Sequence, residues 1–173
     1  YIIIKQGFTG HPDKFHNGRM QPQIRTVTAV FCFNSAGEVL VIRKRSGEYG
    51  YPGGRLGDNE DADASAAREL TEETGLTLPV RYMATYRLPP KTKLKKDKET
   101  GAVVSIMRQK RMRAYIAFAD ATKPAPIDLH EIDRAAYVTP KEAARLIPSL
   151  IPLLDTAVSL HVAMTQSPMR LSA

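Results

Sequence analysis

At 173 residues the chain is long enough for one domain with a sizeable core and short for two. Its 43% hydrophobic and 25% charged residues are ordinary for a globular protein. No apolar run approaches the roughly 18 residues of a membrane span, the opening YIII is shorter than the apolar core of a signal peptide, and the lone Cys32 cannot close an internal disulfide. A single domain over residues 1–173, cytoplasmic and without a membrane partner, is the expectation. The formal charge of +7 is spread over residues 43–45, the run KTKLKKDK at 91–98 and RQKRMR at 108–113. Such a balance favours an anionic partner, a phosphorylated small molecule or a nucleic acid, unless each run is simply a solvated surface.

Taken in chain order, residues 24–33 are rich in β-branched and aromatic side chains and end at NSAGE, so a hairpin into EVLVIRKR at 38–45 is predicted. SGEYGYPGG breaks regular structure. From about Asn59 to Thr74 the spacing predicts a helix: Ala62, Ala66 and Leu70 recur every fourth residue, and Gly75 stands where a left-handed C-cap belongs. Residues 76–88 read as a strand limited at its start by Pro79, 89–102 as a polar loop or hairpin tip, and 103–119 as a long strand with an unusually charged middle. A Pro-rich linker, TKPAPI, leads to a second helical region in which Thr139 and Glu142 frame Pro140 as a capping box. Apolar residues at 153, 154, 157, 158, 160 and 164 predict a final helix over about 152–166, either packed on the domain or forming a homodimer contact, so that monomer and homodimer are both open.

Within this basic chain the segment GGRLGDNEDADASAARELTEETGL, residues 53–76, concentrates carboxylates. On a helix, Glu69, Glu72 and Glu73 project toward a common volume, because positions three and four apart are neighbours. By themselves they describe an acidic solvated face. Their setting after Pro52-Gly53-Gly54, a turn that lets backbone approach a ligand closely, gives them a second reading as oxygen ligands of a hard cation such as Mg²⁺. Arg68 beside them can hold a carboxylate through a bidentate pair. Asp58, Asp61 and Asp63 are read as solvated residues favoured near a helix N-terminus.

The spacing is also a signature. Gly54, five residues, Glu60, seven residues, Arg68-Glu69-Leu70, one residue, Glu72-Glu73, one residue, Gly75-Leu76 fills every defining position of the Nudix box, and the chain thereby resembles the Nudix hydrolase family over about residues 24–150, with 1–23 as an N-terminal extension. The resemblance implies an α/β fold, an α/β/α sandwich around a mixed β-sheet. It implies an enzyme that uses Mg²⁺, with Mn²⁺ as the alternative, to hydrolyse a phosphoric anhydride bond in a nucleoside diphosphate linked to X. Products are a nucleoside monophosphate and X-phosphate, or pyrophosphate from a triphosphate. Carried onto this chain, Glu69, Glu72 and Glu73 are metal ligands, with the Gly53 carbonyl as a further one. Arg68 orients the glutamates, and Gly54 and Glu60 support the site. The general base is either a box glutamate or a glutamate of a late loop, for which Glu131 is the candidate. His130 beside it is a weaker candidate for substrate contact.

For the substrate, the residues leave several anionic nucleotides and polyphosphates open. Pro89 and Pro90 lie near the distance past the box at which the ADP-ribose branch of the family carries a proline, yet a Pro-Pro pair is also a strand terminator. The NADH-type motif SQPWPFP is absent and there is no Trp. Lys and Arg populate both faces of the strand through 108–113, so one face is expected to be a functional groove or an open edge. Alternatives kept are an RNA 5′ end or a diphosphoinositol polyphosphate as substrate, and a non-catalytic regulator on the same fold that binds nucleotide or RNA.

Overall fold

The computed structural model describes residues 15–16, 19–20, 23–96, 101, 103–120, 124, 128 and 130–166. Nine strands and three α-helices follow in the order β1 (Phe15–His16), β2 (Arg19–Met20), β3 (Gln23–Phe33), β4 (Val39–Lys44), β5 (Tyr49–Gly50), α1 (Ala62–Thr74), β6 (Arg81–Arg87), β7 (Lys91–Lys96), β8 (Val103–Phe118), β9 (Ile132–Val138), α2 (Pro140–Leu146) and α3 (Ile151–Gln166), with a 3-10 turn at Pro148–Leu150. The chain divides into two compact units, Tyr1–Arg25 with Leu88–Lys110, and Thr26–Arg87 with Arg111–Ala173.

The larger unit is built on a sheet in the order β5-β4-β3-β8-β6, with β9 pairing along β4. β4 and β9 are antiparallel, as are β6 and β8. The C-terminal ends of β3 and β8 meet, where the Ala119 N–H donates to the Phe33 carbonyl at 2.8 Å. These neighbours therefore run the same way and the sheet is mixed. Side chains alternate between its faces. Val30 and Cys32 of β3, Leu40 of β4 and Tyr115 and Ala117 of β8 bury one face against Ala66 and Leu70 of α1. Phe33 and Phe118 point the other way, and both stack on His161 of α3, with ring centroids 4.6 and 5.6 Å apart. Helices on both faces make the expected α/β/α sandwich.

The hairpin into β4 forms as its turn residues predict: Asn34 Oδ1 accepts the N–H groups of Ala36 and Glu38, and Gly37 takes the left-handed φ of 76°. The box helix is shorter than expected at its start. Asn59 lies at φ 63°, which ends any helix there. Asp61 is the N-cap instead, its Oδ1 accepting from Asp63 N at 2.9 Å and Ala64 N at 3.1 Å. Gly75 closes the helix as predicted, left-handed with its N–H on the Thr71 carbonyl at 2.8 Å. The strand expected from residue 76 begins only at Arg81, because Pro79 has no N–H to give a ladder and Leu78 and Val80 pack against the core cluster instead.

β9 is an element that the sequence reading passed over. It pairs with β4 from Val138 opposite Val39 to Ile132 opposite Lys44, and the register shifts between Arg43 and Lys44. Thr139 caps α2 as predicted, its hydroxyl accepting the Glu142 N–H at 3.2 Å with Pro140 in the first turn. α3 covers the expected residues and buries Leu153, Leu154 and Ala157.

In the smaller unit, the expected polar loop at 89–102 contains strand β7, paired antiparallel with the first part of β8 from Lys91 opposite Arg108 to Lys96 opposite Val103. Leu94 and Val103 are exposed on it beside exposed lysines. β1 and β2 form a separate two-residue pair. Residues 97–100, at the expected hairpin tip, and most of the TKPAPI linker lie outside the described residues.

Candidate active site

The Gly-Gly turn and α1 are locked together by hydrogen bonds that need both. The Val30 N–H donates to the Pro52 carbonyl at 2.7 Å and the Thr28 N–H to the Gly54 carbonyl at 2.9 Å, so the turn is tied to β3. Gly53, at φ 148°, lies so close to Thr28 and Ala29 that a β-carbon would meet backbone atoms at 2.8 Å. A β-carbon on Gly54 would coincide with the Glu69 carboxylate. Gly53 is thus required by its close approach to the strand backbone, and at position 54 any larger residue would displace the Glu69 carboxylate.

Glu73, only 5% exposed, reaches back to this turn and accepts the Gly53 N–H on Oε2 at 2.7 Å. Burial raises its pKa to about 7, against the lowering effect of the Gly53 N–H and the Lys44 ammonium. Burial also raises the pKa of half-buried Glu69, where Arg68 opposes the shift. Two carboxylates are therefore held out of water, one helical turn apart, where their ionised forms call for positive charge.

Arg68 supplies part of it. Its Nε and Nη2 grip both oxygens of Glu60 at 2.8 and 3.3 Å, Nη2 also donates to Glu69 Oε1 at 3.0 Å, and Nη1 donates to Glu72 Oε2 at 2.7 Å. One guanidinium orients three box glutamates. Glu60 is held down to about 2 by Arg68 and by the Gly57 N–H, which donates to its Oε2 at 2.8 Å. Glu60 is therefore a support engaged on two sides. Glu72 differs from its two neighbours: its side chain is 52% exposed and its recorded partner is Arg68.

Lys44 supplies the rest, and sequence reading did not single it out. The register shift at Arg43/Lys44 brings it opposite Ile132, with the Arg45 N–H on the Glu131 carbonyl at 2.9 Å. Its Nζ bonds the Glu131 carboxylate and lies 4.0 Å from Glu73 Oε1. Burial alone would lower its pKa, yet the Glu131 hydrogen bond and the charges of Glu73 and Glu131 raise it. Lys44 so links the late-loop Glu131 to the box, whereas His130 is exposed and, among the described residues, bonds through its N–H to Asp128 Oδ1 at 3.0 Å. A basic run along a strand carries no signal that a bulge will aim one of its lysines at two carboxylates from different elements.

Asp63 departs from the solvated role expected of it. Its Oδ1 accepts the Tyr115 hydroxyl at 2.7 Å and Arg113 Nη2 at 3.4 Å. Asp61 is the helix cap described above, and Asp58 is exposed.

The family model for the NUDIX domain matches residues 22–156, and the box within it is complete. The chain belongs to the NUDIX domain family. Solved structures with the same fold include a C. elegans Ap4A hydrolase binary complex, with TM-score 0.61 and 15% identity, covering 80% of this chain and 98% of that one. The E. coli dihydroneopterin triphosphate pyrophosphohydrolase has TM-score 0.59 and 14% identity over 78% of this chain and 95% of that one. The NUDIX domain of Shewanella oneidensis NrtR, crystallised with ADP ribose, has TM-score 0.57 and 14% identity over 88% of this chain and 94% of that one. No curated protein sequence matches this Nudix chain significantly.

The donor set fits a hard divalent cation in its chemistry: oxygen ligands only, among them buried Glu73 and half-buried Glu69, whose charge is disfavoured where they stand. Among the described residues no three acidic, His or Cys side chains already converge on one point. The reason is visible in the ion pairs, since Arg68 and Lys44 now hold the carboxylates that a cation would share.

Proposed function

We propose that this NUDIX-domain protein is a Mg²⁺-dependent pyrophosphohydrolase, with Mn²⁺ as the alternative ion, that cleaves a nucleoside diphosphate linked to X into a nucleoside monophosphate and X-phosphate. The observation that carries the reading is the pair of buried Glu73 and half-buried Glu69 beside a Gly-Gly turn with no side chain in the way. Glu69, Glu73 and Glu72 would hold the ion, with the Gly53 carbonyl as a further oxygen. When bound, the cation supplies charge neutralisation on the diphosphate and a lowered pKa for attacking water.

The protein's own groups do the positioning. The Gly53 N–H fixes one oxygen of Glu73 and leaves the other for a ligand. Arg68 is a positioning residue that sets the directions of Glu69 and Glu72. Lys44 holds Glu131, the late-loop candidate for general base, against the box. Phosphoryl transfer depends mostly on such placement, and this arrangement offers it without any covalent step on the protein. The buried, single Cys32 accords with a cytoplasmic location.

The test is a hydrolysis screen with Mg²⁺ or Mn²⁺ over nucleoside triphosphates, ADP-ribose, NADH, dinucleoside polyphosphates and 5′-triphosphate RNA, run beside Glu73→Gln. Turnover of at least one compound by the parent and its loss in the variant is expected. If the parent is no faster than Glu73→Gln on every compound, the enzymatic reading fails. The exposed lysines of β7 favour a long anion such as RNA as the second reading, for which the RNA arm of the screen is decisive.

A further inference from the structure

Next to the box, on the α1 face of the sheet, lies a cavity of about 410 Å³ lined by Thr26, Leu56, Thr85, Arg87, Arg111 and Arg113. That is the size of a small-ligand site. Three of its six residues are arginines, and the register explains their convergence: Arg87 stands directly opposite Arg111 across β6 and β8, and Thr85 opposite Arg113, so all four project from the same face. Like charges directly opposite each other destabilise a sheet. Among the described residues no carboxylate pairs with Arg87 or Arg111.

Arg113 is fixed in advance. It donates to Asp63 at 3.4 Å, lies over the Tyr82 and Tyr115 rings at 5.1 and 6.0 Å, and keeps a buried Nε with no acceptor. A solvated surface does not account for that shielded donor or for half-buried Arg111. Three positive charges around one cavity match a phosphate, which Arg binds and which Lys also binds as a point charge.

The cavity and the box also share two short segments. Along β3, Thr28 accepts the Gly54 N–H at 3.4 Å while Thr26, two residues earlier on the same face, lines the cavity. Two residues of strand span about 6.6 Å. Leu56, two residues after Gly54, forms another wall and donates its N–H to the Thr26 carbonyl at 3.3 Å. One extended anion is long enough to touch both places.

We propose that Arg87, Arg111 and Arg113 form a subsite for a phosphate beyond the pair that is cleaved, so that the enzyme selects nucleotides with three or more linked phosphates over those whose X is an uncharged sugar. The proposal rests on the hydrolase reading above, and deepens it by giving X a charge. Binding and turnover separate the two. Inorganic tripolyphosphate is titrated calorimetrically into the full chain in EDTA, which removes any contribution of a divalent ion, and compared with Arg87→Gln/Arg111→Gln and with Arg111→Lys. Loss of affinity of about tenfold or more is expected in the double glutamine variant, and retention within about threefold in the lysine variant.

In steady-state assays with Mg²⁺ the double variant should raise KM for ATP and diadenosine tetraphosphate about tenfold, leaving KM for ADP-ribose and both kcat values within about twofold. Equal tripolyphosphate affinity in parent and double variant overturns the subsite, and so does a KM rise of the same size for ADP-ribose. A parent that binds tripolyphosphate through these arginines but hydrolyses nothing would uphold the subsite and overturn the hydrolase reading. Melting curves of both variants superimposed on the parent's establish that a lost affinity reflects lost charge; a double variant that melts early leaves the decision to Arg111→Lys, for which a tenfold loss overturns the subsite.

Discussion

Two charged regions lie within a few residues of each other and are built on opposite rules. In the acidic box each glutamate has a recorded partner: Glu60, Glu69 and Glu72 share Arg68, and Glu73 has the Gly53 N–H and Lys44 nearby. Among the described residues of the arginine cavity only Arg113 has a carboxylate, and the other two cations face each other across a strand pair. The first region is compensated from within, so it can exist without its ligand and exchange internal cations for an external one. The second is compensated only by what comes to it. The difference teaches that clustering of like charge is not itself a sign of a site; whether the fold supplies the counter-charge is more informative.

The largest expected effect tests the first half of that contrast. Glu73→Gln keeps an oxygen for the Gly53 N–H but removes the buried charge, so kcat should fall about 10³-fold while thermal stability is retained or rises, as read by turnover and by melting temperature. A folded variant of unchanged activity would remove Glu73 from the chemistry. Next in size is Arg68→Gln, which releases three carboxylates together. Affinity for Mn²⁺, followed by calorimetry, should drop about 10–100-fold, as for loss of groups that orient ligands. An unchanged affinity would mean that Lys44 and the helix suffice to place Glu69.

A smaller effect follows from protonation. The pKa of Glu73 is raised on folding to about 7, so between the ordinary glutamate range and that value the folded chain binds more protons than the unfolded one. Without divalent ions its contribution to stability therefore falls as pH rises through that window. Divalent ions oppose the loss, and the increase in melting temperature on adding Mn²⁺ should be larger at pH 8 than at pH 5. A shift independent of pH would show that the ion is held elsewhere. The smallest effect separates helix from chemistry: Asp61→Ala removes the cap of α1 and should lower the midpoint of a denaturant melt, with kcat at saturating metal within about twofold.

Much of this was legible before any coordinates. The box spacing predicted α1, its glycine cap and the facing of Glu69 and Glu73, because helical periodicity and capping are local rules. Local rules also gave the first hairpin, the Thr139 cap and α3. They failed at β7, whose KTKLKK has the composition of a loop and becomes a strand only because β8 offers it a partner. They failed at the helix start, where Asn59 in a left-handed conformation moved the cap to Asp61. They also misjudged Asp63, whose partners are on β8, some fifty residues away in sequence.

The sequence by itself determined the family, the order of the elements and which glutamates gather on one helix face, since each depends on spacing within a short stretch. Only the tertiary structure decided which positive charges those glutamates meet and where Arg87 and Arg111 are brought face to face. Lys44 reaches Glu73 and Glu131 through a register shift between β4 and β9, and Arg87 meets Arg111 through the pairing of β6 with β8. Register is a property of two strands at once, and a one-residue slip in either would send each of those side chains to the opposite face.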